Sequence, residues 1–295
     1  MKKIKNKIQN KIKSFKENKI SHEELGMIFL SAGTVLQAII QVIIIAFISR
    51  LLSASDFGVV AILQSITSFS LIFSQFGVSQ VIIQKEKISD EEIQNATTIS
   101  VILGVIIAII FLLSSSIIAT FFNSEKLILA IECFAPYFIF KSFFLINEGL
   151  ILRNLQFKLL SKIQIISYLF GYGFVSIFFA YLGYGYWSII IGLYAQMFIS
   201  GIMQSRIYVI NMTMHLRKDI YINLLKNGSG YTSTTFLNYI TEEIDNFIVG
   251  RKLGISNLGV YTRAFSLYSL CARFFGIIYD KLYFPILSKK QNEHD

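Results

Sequence analysis

A chain of 295 residues that is 54% hydrophobic and only 15% charged has too little polar surface to cover itself in water, where roughly 25% charged residues are usual. Several segments of about 20 apolar residues define it instead as an all-α polytopic membrane protein. The net charge of +9 would suggest nucleic acid as the partner of a soluble protein. Here the bases fall between apolar segments, so a membrane face is the expected partner and nucleic acid is not.

Residues 1–20 place lysines at 2, 3, 5, 7, 11, 13, 16 and 19, while Ile4, Ile8, Ile12 and Phe15 recur at helical spacing. No signal-peptide core or cleavage pattern follows. Two readings stand for this segment: a basic amphipathic helix lying on anionic phospholipid, or a solvated lysine tail. Ser21 and Glu24 then have the spacing of a capping box that opens the first span.

Hydrophobic length predicts spans near 26–49, 57–83, 97–122, 127–152, 163–182, 187–208, 228–250 and 258–284. The connections on one side carry the N-terminal lysines, Lys85, Lys87, Arg153, Lys158, Lys162, Arg206, Arg217, Lys218 and Lys226, then Lys281, Lys289 and Lys290. Those on the other offer only Arg50, Lys126, Arg251 and Lys252, so the positive-inside rule predicts a cytoplasmic N-terminus and an even number of spans. Tyr181, Tyr184, Tyr186 and Trp187 cluster at an outer connection, as an interfacial aromatic belt does. Ser89 and Glu92 form a second capping-box pattern. Pro136 is expected to kink the fourth span, and Gly171 and Gly173 to allow a bend or close approach in the fifth. Residues 209–226 form a basic linker and the best boundary in the chain. It divides a first bundle of six spans, 21–208, from an incomplete second bundle of two, 227–295.

That division matches an internal repeat. The stretch Arg50-Leu51-Leu52-Ser53-Ala54-Ser55-Asp56-Phe57-Gly58-Val59 recurs without a gap 201 residues later as Arg251-Lys252-Leu253-Gly254-Ile255-Ser256-Asn257-Leu258-Gly259-Val260. The same offset pairs Leu36 with Leu237, Gln37 with Asn238 and Gln41 with Glu242. Each copy reads as a long helix with a polar side, a short corner marked by Arg50 or Arg251, and a second helix, opened by a Ser-Asx N-cap and carrying Gly58 or Gly259. Two pseudo-symmetric bundles are the architecture such a repeat suggests.

A charge at bilayer depth costs on the order of 3 kcal/mol or more, so each one needs a reason. In the fourth span Lys141 and Glu148 share a face, either neutralising each other or lining a cavity, with Glu132 roughly opposite. In the seventh, Thr234, Asn238, Glu242 and Asp245 draw one polar stripe that must meet water or hydrogen-bond another helix. In the eighth, Arg273 and Asp280 share a face, being seven apart, and Arg263 is the less obviously neutralised base. Cys133 and Cys271 lie in apolar runs far apart and read as small core residues. The histidines His22, His215 and His294 have no metal-ligand spacing, and no phosphate loop or nucleophile elbow is present. No metal, cofactor or catalytic role is expected.

Phe47-Ile48-Ser49-Arg50-Leu51-Leu52 with Ser55-Asp56-Phe57-Gly58, then Asp245 to Arg251 with Leu258 to Ala264, and Phe284-Pro285-Ile286-Leu287-Ser288, resemble the bacterial oligosaccharide flippases. These form the polysaccharide-biosynthesis branch of the multidrug, oligosaccharidyl-lipid and polysaccharide exporter superfamily. The resemblance implies two six-helix bundles in a V, in the cytoplasmic membrane, moving a polyprenyl-pyrophosphate glycan between leaflets for O-antigen, capsule or exopolysaccharide synthesis. It implies a lipid-linked oligosaccharide as cargo and glycan polymerase machinery as a partner. On that reading Lys141, Arg263 and Arg273 are candidates for the anion, and Gln37, Gln41, Asn238 and Tyr239 for sugar hydroxyls. Glu242 and Asp245 are candidates for a coupling proton or cation. The family has about twelve spans, so the second bundle is expected to be cut short. Exporters of drugs or peptides, an integral-membrane glycan enzyme and a non-transporting remnant remain the alternatives.

Overall fold

The computed structural model describes the backbone of residues 22–208 and 217–278, and the side chains of 33–208 and 217–269. Among these residues every regular element is a helix. In chain order they are α1 (His22–Leu51), α2 (Ala54–Gln75), α3 (Val78–Gln84), α4 (Asp90–Phe121), α5 (Lys126–Phe134), α6 (Pro136–Arg153) and α7 (Phe157–Ile166). A π-helical turn (Ser167–Phe174), α8 (Val175–Tyr181), α9 (Trp187–Ser205), α10 (Lys218–Leu253) and α11 (Ile255–Ile278) follow. Among the described residues, six stretches are long and apolar enough to cross a membrane: Gly33–Leu51, Ala54–Gln75, Asp90–Phe121, Lys126–Arg153, Phe157–Tyr181 and Trp187–Ser205. The protein is thus a multi-pass helical membrane protein.

Several helix ends follow the sequence closely. Ser89 accepts from the Glu92 amide while Glu92 reaches back to the Ser89 amide, closing the expected capping box. At the first repeated corner the cap is Ser53 rather than Ser55, with Asp56 as its reciprocal partner. Pro136 divides the fourth span into α5 and α6, and the Tyr194 hydroxyl of α9 donates to the Cys133 carbonyl at 2.9 Å, satisfying backbone next to the break. Gly171 lies in the π turn, where a methyl group would sit 2.5 Å from the Gln196 backbone, so the fifth span both changes winding and closes on α9.

Three expectations are corrected. The span expected over 57–83 breaks at Phe76 and Gly77, both left-handed, and the Gly228 carbonyl of α10 occupies the space a Gly77 side chain would need. The expected 209–226 linker is largely helix where it is described: α10 starts at Lys218, its entry held by the Arg217 amide donating to Asn95 at 2.9 Å. Cys133 is exposed rather than core. Residues 1–20, Ser21, residues 209–216 and Asp280 lie outside the described residues, as do the side chains of Cys271 and Arg273.

Contacts between connections sort the chain into two ends. At one, the Tyr186 amide donates to Asp56 at 3.2 Å and Arg251 donates to the Phe121 carbonyl at 2.5 Å. Connections near 50–56, 122–126, 182–186 and 251–255 therefore gather there. At the other, Arg153 binds the carbonyls of Ile82 at 2.7 Å and Glu86 at 2.9 Å, and Arg217 pairs with Glu91 at 3.2 Å. The main apolar core lies between α2, α4, α5 and α6, around fully buried Leu63, Leu127, Ile131 and Phe138. Ile190 from α9 and Leu258 from α11 complete it, so the second half of the chain is rooted in the core of the first.

That rooting depends on the repeated glycines. A methyl group on Gly58 would sit 1.9 Å from the Ile255 carbonyl oxygen, and one on Gly259 would sit 1.9 Å from the Ala54 carbonyl oxygen. Ala54 and Ile255 are themselves repeat partners, so the contact is reciprocal and α2 and α11 cross about a local two-fold axis. Backbone lies on backbone, and no side chain can relax out of the way. Gly58→Leu and Gly259→Leu are each expected to lower stability by about 1–3 kcal/mol or more, read as a fall in thermal midpoint in detergent. Gly230→Ala, in a helix with open space around it, should be neutral or raise the midpoint.

Candidate functional site

The polar residues of α10 divide between two faces about 100° apart. Thr234, Asn238 and Glu242 are exposed. Tyr239, Glu243 and Asn246, at spacings of four and three, turn toward α2. There the Ser65 hydroxyl donates to Glu243 at 2.5 Å, Asn246 donates to Glu243 at 2.7 Å, and the Tyr239 hydroxyl donates to the Ser65 carbonyl at 3.0 Å. Ser65 is buried, so this knot makes an interhelical joint inside the apolar layer. Asp245 points toward α11, where its carboxylate accepts a short hydrogen bond from Tyr261. Of the expected stripe, Asp245 makes an interhelical bond and the other three remain open.

Glu243 was missed by the sequence reading. The signal was present, since Tyr239, Glu243 and Asn246 themselves share a helical face, but the neighbouring stripe matched the repeat and drew the assignment. Gln37 and Gln41 are not brought together with Asn238. They are half-buried on the α1 stripe that includes Gly33, Ile44 and Ile48, and that stripe rests on α7, the π turn and α8.

The candidate cations separate as well. Lys141 lies 3.7 Å from Glu148 on α6, so its charge is balanced within its own helix. Glu132 accepts from Ser115 at 3.3 Å. Arg263 lies about 12 Å along α11 from its start, on the seam with α2, its guanidinium 3.2 Å from the centre of the Phe57 ring. Its Nε and Nη2 are buried without a hydrogen-bond partner, and it joins no ion pair among the described residues. The nearby Asp56 accepts from the Ser53 hydroxyl and amide on one oxygen and from the Tyr186 amide on the other, and attracts the guanidinium without closing an ion pair. Cation–π attraction compensates only part of the desolvation of such a group.

The corner arginines differ in setting. Arg50 borders an apolar groove of about 440 Å3 with Phe47, Phe174, Phe178 and Tyr181. Arg251 stacks 5.2 Å over Phe121 and faces a larger polar cleft.

An all-helical bundle in which α2 and α11 meet on reciprocal glycine contacts, with an arginine at that seam that joins no ion pair among the described residues, defines a multi-pass helical membrane protein. The chain belongs to the polysaccharide biosynthesis protein family, whose model matches residues 47–295. It is 22% identical over 278 residues to the teichuronic acid biosynthesis protein TuaB of Bacillus subtilis (strain 168), covering 91% of this chain and 56% of TuaB. It is 27% identical over 255 residues to an uncharacterized membrane protein in the cps region of Klebsiella pneumoniae, covering 84% and 52%. The lipopolysaccharide biosynthesis protein WzxC of Escherichia coli (strain K12) is 23% identical over 277 residues, covering 89% and 55%. The chain therefore spans about half the length of the curated relatives it matches. No solved structure matches it.

Removing the Glu243 carboxylate leaves the Ser65 hydroxyl without its acceptor and Asn246 with only the longer bond to the Ser65 oxygen, 3.3 Å. Glu243→Ala should therefore cost about 1–3 kcal/mol of stability, whereas Glu242→Ala should stay within about 0.5 kcal/mol of the parent. Thermal unfolding of the purified variants in detergent measures both.

Proposed function

We propose that the chain acts in translocating a lipid-linked oligosaccharide across the bacterial cytoplasmic membrane, with its N-terminus in the cytoplasm. The reading rests on family membership and on one observation of this chain, the unpaired Arg263 at the α2–α11 seam. A polyprenyl-pyrophosphate glycan has an anionic head that must pass the apolar layer, and a half-buried guanidinium with two unused donors is a suitable counterion for it. The seam also joins the two repeat halves, which is where substrate sites lie in repeat-built transporters. Asp245, held by Tyr261 across the α10–α11 contact, and the exposed Glu242 are the candidates for a coupling proton or cation. Lys141 is a weaker anion candidate because Glu148 already neutralises it. The mechanism uses binding, rocking and release, and no bond in the cargo is broken.

The test is flux of a fluorescent polyprenyl-pyrophosphate oligosaccharide in proteoliposomes containing the full chain, read by accessibility to an outside glycan-cleaving enzyme. Arg263→Gln should reduce the rate at least about tenfold, the loss of a charged hydrogen bond. The double variant Lys141→Gln/Glu148→Gln should retain the parent rate within about twofold. Parent-level flux in Arg263→Gln would discard the anion assignment, and absence of flux in the parent would discard translocation by this chain.

A further inference from the structure

We propose that the cleft between the 122–126 and 251–255 connections binds the phosphate of a lipid headgroup. The site deepens the transport reading by assigning a docking place at the end of the bundle opposite the lysine-rich connections. The cleft is about 660 Å3 and is lined by Lys126, Arg251, Lys252, Asn123 and Ser124, with Glu125 its single carboxylate. That volume falls within the usual range of small-ligand sites.

Three observations converge on this cleft. The connections at this end hold only four bases, Arg50, Lys126, Arg251 and Lys252. Three of the four line one cleft, and none of them joins an ion pair among the described residues. Bases are depleted on one side of a membrane protein, and gathering three of them there around the single carboxylate of Glu125 leaves excess positive charge whose repulsion a bound anion removes.

Arg251 is also held in place. It donates to the Phe121 carbonyl at 2.5 Å and stacks on the Phe121 ring, and the Asn123 amide oxygen accepts from it at 3.2 Å when turned toward it. These contacts use part of a five-donor fork and fix the direction of the rest.

Within the matched corner, the differences that change polarity run in one direction. Leu51 of the first copy is Lys252 in the second, Ser53 is Gly254, and Asp56 is Asn257. A base is gained, a hydroxyl acceptor is lost and a carboxylate is lost. The first copy satisfies its own corner, with Ser53 and Asp56 closing on each other. The second has exchanged that internal closure for uncompensated positive charge.

The surroundings favour a lipid over a free anion. Leu113, Ile117 and Phe121 of α4 are 76%, 72% and 46% exposed, and follow one another at four-residue spacing up to the cleft. Ile244 and Ile248 of α10, 52% and 56% exposed, form a second ridge on the other flank. An apolar track that ends at a basic cleft fits a chain anchored in the bilayer with its phosphate at the interface.

The experiment uses the full chain in phosphatidylcholine nanodiscs, with binding of a fluorescent polyprenyl pyrophosphate as readout and inorganic pyrophosphate as competitor. Lys126 and Lys252 make no hydrogen bond or ion pair among the described residues, so Lys126→Gln/Lys252→Gln leaves folding contacts intact. The double variant should bind the lipid at least about tenfold more weakly, while Lys218→Gln/Lys226→Gln, two exposed bases at the opposite end of the bundle, binds it like the parent. Equal binding by parent and double variant would overturn the site. An equal loss of binding in Lys218→Gln/Lys226→Gln would show attraction to overall positive charge rather than to this cleft and overturn it too. Competition by inorganic pyrophosphate at the same concentration as the lipid would overturn the lipid assignment in favour of a free anion. Binding is read without flux, so failure here and failure of translocation are distinguishable.

Discussion

The contact of α2 with α11 at Gly58 and Gly259 is the constraint from which the rest of the arrangement follows. Each glycine lies against a carbonyl of the other helix with no room for a methyl group. Helices in lipid gain little from burying apolar side chains against each other, so close backbone approach is the main source of specific association. Here that approach fixes the two repeat corners at the same end of the bundle. It buries Leu258 in the core of the first half, and it places Arg263 against Phe57.

The seam also explains why one arginine is exceptional. Lys141 and Glu148 lie two turns apart on a single helix, and their pairing needs no tertiary structure. Arg153 at the opposite end is consumed by carbonyls at the end of α3. Arg263 closes no such pair among the described residues: the nearby Asp56, which caps α2 and accepts from the Tyr186 amide, attracts the guanidinium without a direct contact. A guanidinium left with buried, unused donors is unfavourable for the resting protein. Such a cost is retained where an external group is to supply the missing partner.

Much of this was legible in the sequence, and the part that was not has physical causes. Helix class, the Ser89 capping box and the equivalence of Gly58 and Gly259 follow from local patterns and from a repeat that needs no knowledge of packing. The break at Phe76 and Gly77 was invisible because 57–83 is apolar throughout, and only the approach of Gly228 makes the left-handed turn necessary. The helical start of α10 was hidden by its charges, which read as linker but lie on turns held by Asn95 and Glu91. The site divided in the same way. Arg263 as the unbalanced base is a counting argument and could be made early. The Glu243–Ser65–Asn246 knot joins residues 178 positions apart, and only the fold brings them together.

The polar stripe of α10 illustrates why hydrophilic residues on a membrane helix do not by themselves mark a pathway. Under the repeat offset of 201, Thr234, Asn238, Glu242 and Asp245 fall on Gly33, Gln37, Gln41 and Ile44. In the first half that face is occupied: Gly33 abuts Ser161 of α7, and Ile44 abuts Gly173 of the π turn. The glutamines there belong to a packed interface, where amides serve as interhelical hydrogen-bonding groups. The corresponding face of α10 is open among the described residues, but its register is that of a helix seat. Exposure of Asn238 and Glu242 is thus compatible with packing as well as with water, whereas the buried Nε and Nη2 of Arg263 already lie within a formed contact and still lack a hydrogen-bond partner. That asymmetry is why the transport reading rests on the seam and not on the stripe.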